Sequence, residues 1–264
     1  MSFRVDELVN EDASRVSRRC WSDQRVYELE KRGIFGRAWL FLGHESQIRK
    51  PGDFVQAFMC ETPIILARGE DGEVYASVNS CTHRGLPVCR ADRGNTRRFV
   101  CPYHSWSYKV SGELVTIPQE GSLCNKPDKN ELGLKRVPRV ESWRGMIFGS
   151  FDAGIVSLED YLGDMRFYLD AFFDRFPGGI EFMGAPHRWV MDANWKLPVE
   201  NQLGDVNHGA FLHSSIIPRE AQDLIEELGY SVVTAPGHGA TFRLMPPDSP
   251  VDEVAWGLEG MGGI

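Results

Sequence analysis

Residues 81–106 read "CTHRGLPVCRADRGNTRRFVCPYHSW". Cys81-x-His83 opens the stretch and Cys101-x-x-His104 closes it, with seventeen residues between His83 and Cys101. Each pair ends a short run of strand-forming residues, so two hairpin-like loops can grip opposite sides of one centre. A two-iron, two-sulfide cluster with two cysteines on one iron and two histidines on the other needs this donor set. Neutral imidazoles in place of thiolates lower its negative charge and raise its reduction potential. A zinc finger would place a Cys pair first and a His pair second, whereas here the order alternates. Four unrelated core residues flanked by Gly or Pro is the remaining alternative.

From Trp39 to Phe151 short runs rich in β-branched and aromatic residues recur, among them "WLFLG", "DFVQAFM", "PIILAR", "EVYASVN", "WSYKV" and "GMIFGSF". Asp71-Gly72 and Ser111-Gly112 are turn signals between them. This pattern predicts a compact antiparallel β domain. Before it, residues 22–35 space Val26, Leu29, Ile34 and Phe35 for an amphipathic helix that begins at Ser22. After it, Ser157 and Asp160 make a capping-box-like start to one helix, whose apolar stripe runs from Leu158 to Phe176 before Pro177-Gly178-Gly179. The switch of period sets a boundary near 152–157. Residues 187–194 then read as a strand, with a helix from about Pro198. "PPDSP" at 246–250 reads as a loop.

The chain has 264 residues, 42% hydrophobic, with a net charge of −8. That composition supports a sizeable core and nothing in it suggests nucleic-acid binding. The N-terminus lacks the basic-then-apolar order of a secretory signal, and no run of eighteen apolar residues predicts a membrane span. Six cysteines are too few for a disulfide scaffold at this length and read as cytosolic thiols or metal ligands. Cys20, Cys60 and Cys124 have no metal spacing and read as free structural thiols.

A second constellation is "DVNHGAFLH", residues 205–213. It offers Asp205, His208 and His213, the ligand types of a mononuclear oxygen-activating iron. On a helix Asp205 and His208 lie about 60° apart, but His208 and His213 lie about 140° apart. The two imidazoles converge only if the helix widens locally or ends before His213. Spacing alone is a weak signal.

At "CTHRG" and "CPYHSW" the chain resembles the Rieske family. Within it, the chain resembles the α subunits of aromatic-ring-hydroxylating oxygenases. "NWKLPVENQLGDVNHGAFLH" (194–213) resembles their mononuclear-iron segment, about ninety residues beyond the first motif. Respiratory Rieske proteins usually carry an extra cysteine beside each ligand pair; Tyr103 stands at one such place, so Cys89 lacks a partner. The resemblance implies an α+β chain: an all-β Rieske [2Fe-2S] domain followed by the beginning of an α+β, helix-grip-like catalytic domain that reads as truncated. The expected divisions are an N-terminal helical segment at 1–37, the Rieske domain at 38–156 and the N-terminal part of the catalytic domain at 157–264.

The same resemblance assigns Cys81, His83, Cys101 and His104 to the [2Fe-2S] cluster. It assigns His208 and His213 to a mononuclear Fe(II), and makes Asp205 the hydrogen-bonded bridge between a neighbouring subunit's Rieske histidine and His208. Asn201 would sit beside the iron and the substrate pocket. Trp195 and Lys196 anchor that segment, and Arg84 and Trp106 either shape the surface near the histidines or simply pack there. Implied partners are a ferredoxin or flavin reductase, a small β subunit, further α subunits (α3β3 or α3), an aromatic substrate and O2, in the cytoplasm. The implied reaction is cis-dihydroxylation of the ring. A Rieske monooxygenase or demethylase, or an electron carrier with an incomplete iron site, are the alternatives. Two positions depart from the family. Asn207 stands where an aromatic residue is usual. The third iron ligand is an aspartate far beyond the second histidine, and Asp223, Asp248 and Asp252 lie in no recognisable context.

Overall fold

The computed structural model describes residues 4–125, 127–174, 178–184, 186–188, 190–203, 208–216, 229–235 and 237–243. In chain order the helices are α1 (Arg19–Ser22), α2 (Gln24–Glu30), α3 (Leu158–Leu162), α4 (Met165–Phe173), α5 (Lys196–Leu203) and α6 (His208–Leu212). The first six strands are β1 (Leu40–His44), β2 (Asp53–Met59), β3 (Thr62–Arg68), β4 (Val74–Val78), β5 (Arg93–Asn95) and β6 (Arg98–Val100). They are followed by β7 (Ser107–Lys109), β8 (Leu114–Thr116), β9 (Arg139–Trp143), β10 (Met146–Ser150), β11 (Gly229–Val233) and β12 (Gly239–Arg243). The chain divides into two compact units, one of residues 23–161 and 169–189, the other of 1–22, 162–168 and 190–264.

The first unit is built from three antiparallel sheets, ordered β4-β3-β2-β5, β1-β10-β9 and β6-β7-β8. The four-stranded sheet separates two hydrophobic cores. Successive side chains of a strand point to opposite faces. On β3, Ile65 and Ala67 therefore enter one core with Cys81, Cys89, Cys101, Phe99 and Tyr108. Ile64 and Leu66 enter the other, with Leu42, Val55, Met59 and Ile147. That explains the unbroken apolar run "IILA": a strand covered on both faces need not alternate. The first core lies between the four-stranded sheet and β6-β7-β8, and it carries the cysteines of the opening motif.

Both turn signals are borne out, with Gly72 at φ +85° and Gly112 at φ +95°. The helix expected from Ser22 instead begins after Asp23, whose carboxylate accepts the Arg25 N–H at 3.1 Å. An N-cap carboxylate satisfies a donor that the helix leaves free. The helix then widens over Lys31–Phe35, where the Gly36 N–H reaches back five residues to the Lys31 carbonyl at 2.8 Å. The single helix expected from Ser157 is broken. Its cap is present: Ser157 Oγ donates to Asp160 at 2.7 Å and accepts the Asp160 N–H at 3.1 Å. Gly163 then turns left-handed at φ +49°, ending α3 before α4 resumes at Met165. The C-terminal end of that stripe, Phe176 and Pro177, lies outside the described residues.

In the second unit, β11 and β12 pair as a hairpin from Gly229↔Arg243 to Val233↔Gly239. α5 packs on β12: Thr241 Oγ1 donates to the Gln202 carbonyl at 2.9 Å, and a Cβ at Gly239 would stand 3.0 Å from Leu203. The helix expected from about Pro198 thus starts at Lys196, where the Asn194 carboxamide accepts the Lys196 N–H. The strand expected over 187–194 is absent among the described residues there. A strand needs a neighbour for its N–H and C=O groups, and Val190 is fully solvent-exposed. The loop expected at 246–250 lies outside the described residues. No helix among the described residues is long and apolar enough to cross a membrane.

Candidate metal centres

Cys81 follows β4 and Cys101 follows β6, and both are almost fully buried. The loops they open are built alike. The Cys81 N–H donates to the Leu86 carbonyl at 2.9 Å, and the Gly85 N–H donates back to the Cys81 carbonyl at 2.7 Å. In the second loop the Cys101 N–H donates to the Trp106 carbonyl at 2.8 Å, and the Ser105 N–H to the Cys101 carbonyl at 3.0 Å. Each loop closes through a left-handed fifth residue, Gly85 at φ +80° and Ser105 at φ +58°. Glycine accepts that conformation freely, while serine does so at a cost of about 1 kcal/mol.

The loops bring the two imidazoles together, with ring centroids 4.7 Å apart at 64°. His83 stacks on Trp106 at 4.9 Å and 8°, while His104 lies against Tyr103 at 3.9 Å and 30°. Arg84 stands over the outer face of Tyr103 at 5.8 Å. Arg84 and Trp106, ambiguous in the sequence, therefore both brace the histidine loops. His83 is exposed and His104 half-buried, yet His104 Nδ1 is buried without a hydrogen-bond partner. A buried nitrogen without a partner is costly unless a ligand occupies it. The His83 pKa is lowered, by desolvation first and then by His104 and Arg84. That favours the neutral imidazole, the form that binds iron. Two buried thiols, an orphaned imidazole nitrogen and a second neutral imidazole fit the donor needs of a mixed Cys/His iron–sulfur cluster.

Several supporting residues escaped the sequence reading. Tyr108 is completely buried, and its hydroxyl lies 3.2 Å from Cys81 Sγ. That hydroxyl accepts the Thr82 N–H at 3.3 Å and lies 3.0 Å from Thr82 Oγ1. Thr82 Oγ1 in turn donates to the Leu132 carbonyl at 2.7 Å, so the phenolic proton is shared between Thr82 Oγ1 and the sulfur. Burial, then the Cys81 contact, push the Tyr108 pKa up to about 12, so the donor stays protonated. Asn79 is buried and accepts the N–H groups of Val88 and Cys89, both at 3.0 Å. It also donates to the Cys89 carbonyl at 2.7 Å, and Gln56 donates to the Ala91 carbonyl at 2.9 Å. These amides anchor the chain that leaves the first loop. Cys89 is a free, buried thiol whose pKa is raised chiefly by burial.

At the second constellation, His208 opens α6 and is half-buried, while His213 lies just past its end and is exposed. Their rings stand 5.6 Å apart at 65°. The helix ends before His213, and that break lets the two rings approach. Asn201 lies on α5 and is exposed. Asp205 and Asn207 lie outside the described residues, as do Asp223, Asp248 and Asp252. Among the described residues no three His, Cys, Asp or Glu side chains converge on a single metal position.

Residues 38–138 match the Rieske [2Fe-2S] domain family. The chain carries a Rieske domain and is similar to the α subunits of aromatic-ring dioxygenases. It is 36% identical to the benzene 1,2-dioxygenase α subunit of Pseudomonas putida over 98% of this chain and 54% of that one. It is 37% identical to the large oxygenase component of the Pseudomonas aeruginosa naphthalene 1,2-dioxygenase system, over 100% of this chain and 58% of that one. The crystal structure of naphthalene 1,2-dioxygenase from a Rhodococcus species, bound to indole, superimposes with a TM-score of 0.79. It is 42% identical, and the match covers 86% of this chain and 53% of that one. The chain thus spans about half the length of the curated relatives it matches. Its α+β character, antiparallel sheets with accompanying helices, agrees with the sequence expectation.

Proposed function

We propose that this chain works in the terminal oxygenase of a multicomponent system that adds O2 to an aromatic ring to give a cis-dihydrodiol. The observation that carries the proposal is the coexistence, in one chain, of the paired Cys/His loops and the separate His208–His213 pair. Cys81 and Cys101 hold one iron of a [2Fe-2S] cluster as thiolates, and His83 and His104 hold the other. His208 and His213 hold a mononuclear Fe(II), with Asp205 as the bridging carboxylate and Asn201 beside the substrate pocket. When bound, the cluster supplies one-electron storage and the ferrous ion supplies oxygen activation.

The chain's own residues do the remaining work. Tyr108 steadies the Cys81 thiolate with its hydroxyl proton. Trp106 and Tyr103 fix the planes of His83 and His104, and Asn79 holds the loop behind Cys81 in register. The Rieske domain is assigned to 38–156, after an N-terminal segment 1–37 and before the catalytic portion from 157. The partners are a ferredoxin or flavin reductase as electron source, a small β subunit and further α subunits as α3β3 or α3. The setting is cytoplasmic. The likeness to named benzene and naphthalene dioxygenases favours ring dihydroxylation over monooxygenation.

The test uses the purified chain with a ferredoxin, its reductase and a β subunit. The expected result is about three irons and about two sulfides per chain, with naphthalene-dependent O2 uptake and a cis-dihydrodiol product. Two irons with no third after ferrous loading, and no diol, would sink the proposal.

A further inference from the structure

The turn between β3 and β4 carries the pair Asp71-Gly72, which the sequence marks only as a turn signal. In an Asp-Gly pair the amide nitrogen after the aspartate can attack its side-chain carboxyl, because glycine has no side chain to shield that nitrogen. Here the nitrogen is sterically open. A Cβ at Gly72 would meet nothing within 4 Å, and Asp71, Gly72 and Glu73 are all exposed. What closes the site is hydrogen bonding. The Asp71 carboxylate accepts the Glu73 N–H on Oδ1 at 3.1 Å and the Tyr75 hydroxyl on Oδ2 at 2.5 Å. The Gly72 N–H donates to the Gly69 carbonyl at 3.1 Å. The carboxylate lies so close over Gly69 that a Cβ there would collide with Oδ1.

Donors to the ionised carboxylate hold the Asp71 pKa below its ordinary value, Tyr75 first and the Glu73 N–H next. The Tyr75 pKa is raised in return, chiefly by the same bond. Arg136 stands over the Tyr75 ring at 4.9 Å, and Arg68 donates to the Gly72 carbonyl at 2.8 Å. Against these cations stand Glu70 and Glu73 in the turn and Glu113, 3.5 Å from Arg136. Attack on Asp71 Cγ needs the neutral carboxylic acid, free to turn toward the Gly72 nitrogen. The bonds to both oxygens oppose both requirements.

We propose that Asp71-Gly72 is an aspartyl-isomerisation site and that the Tyr75 hydroxyl sets its rate by fixing the carboxylate. In the first step Gly72 N bonds to Asp71 Cγ, the Cγ–OH bond breaks, and the amide proton leaves with the hydroxyl as water. Water then opens the succinimide at either carbonyl. One opening returns aspartate, and the other leaves the chain running through the side-chain carboxyl as isoaspartate. No electron changes hands. Isoaspartate adds one backbone carbon to a turn whose strands pair from Ile64↔Val78 to Arg68↔Val74. β4 leads directly into Asn79 and Cys81. Isomerisation therefore distorts the hairpin from which the Cys81 loop departs.

The test incubates the intact chain, its Tyr75→Phe variant and a synthetic peptide of residues 66–78 in mildly acidic buffer. Isoaspartate is counted with isoaspartyl methyltransferase and located by electron-transfer fragmentation. The peptide should isomerise fastest and the intact chain slowest. Tyr75→Phe should isomerise about tenfold faster than the intact chain. Hydrogen-exchange protection of the β3–β4 amides should stay as it is in the intact chain. The acid form is the reactive one, and the lowered Asp71 pKa keeps it scarce until the pH falls further. The rate–pH profile of the intact chain should thus lie at lower pH than that of the peptide, and Tyr75→Phe should move it back up. An intact chain that isomerises as fast as the peptide, or a variant no faster than the intact chain, would overturn the proposal. So would a profile that does not move. Faster isomerisation with lost amide protection would overturn it too, because opening of the hairpin and not the missing hydroxyl would then be the cause.

Discussion

The Tyr108 hydroxyl, 3.2 Å from Cys81 Sγ, is a buried polar contact to a proposed cluster ligand. Reduction adds negative charge to the cluster and its thiolates, so a donor to the sulfur favours the reduced state. A contact strengthened by about 1 kcal/mol on reduction corresponds to about 40 mV for one electron. Tyr108→Phe should therefore lower the reduction potential by an amount of that order while leaving the iron and sulfide content unchanged, as read by protein-film voltammetry. An unchanged potential would remove Tyr108 from the electronic role. The sequence could not single out this tyrosine. The two residues are 27 positions apart, and only the folding of β6-β7-β8 over the first core brings the ring under Cys81. The candidate Cys and His donors were legible because their chemistry and close spacing are local properties of the chain. The left-handed strain at Ser105 was not, because the loop closure that demands it is set by the Trp106 carbonyl accepting from Cys101.

At the scale of elements, Asn79 fixes the loop that follows β4. Its carboxamide serves three backbone groups of Val88 and Cys89. Asn79→Ala would strand two buried N–H groups, a loss of about 3 kcal/mol. The melting temperature of the β unit should then fall by about 10 °C, measured by circular dichroism. A fall within error would mean that water takes over the amide's role. The helical readings show why periodicity overreaches. The apolar stripe runs through Gly163 without interruption, but a left-handed backbone there divides α3 from α4. Hydrophobic period reports which faces are buried and is blind to one glycine's φ. The strand expected over 187–194 failed for the complementary reason, since strand-like composition makes no strand without a neighbour to pair with.

At the scale of the molecule, the two proposed metal sites draw on different residues, so each should be removable without the other. His208→Ala should reduce the iron content from about three to about two per chain, with sulfide and the cluster's EPR signal retained. Loss of both together would contradict a distinct mononuclear site. By itself, the sequence determined the donor atoms, their order and spacing, the β-rich character of 39–151 and the kinship those motifs imply. All of these are carried by near neighbours along the chain. Only the tertiary structure decided that the four-stranded sheet separates two cores and that His104 Nδ1 is buried without a partner. It alone placed Tyr108 and Asn79 behind the ligands and gathered Lys129, Lys135 and Arg136 with Thr82 along one groove. Those relations join residues tens of positions apart, and strand register and side-chain packing set them after the chain has folded.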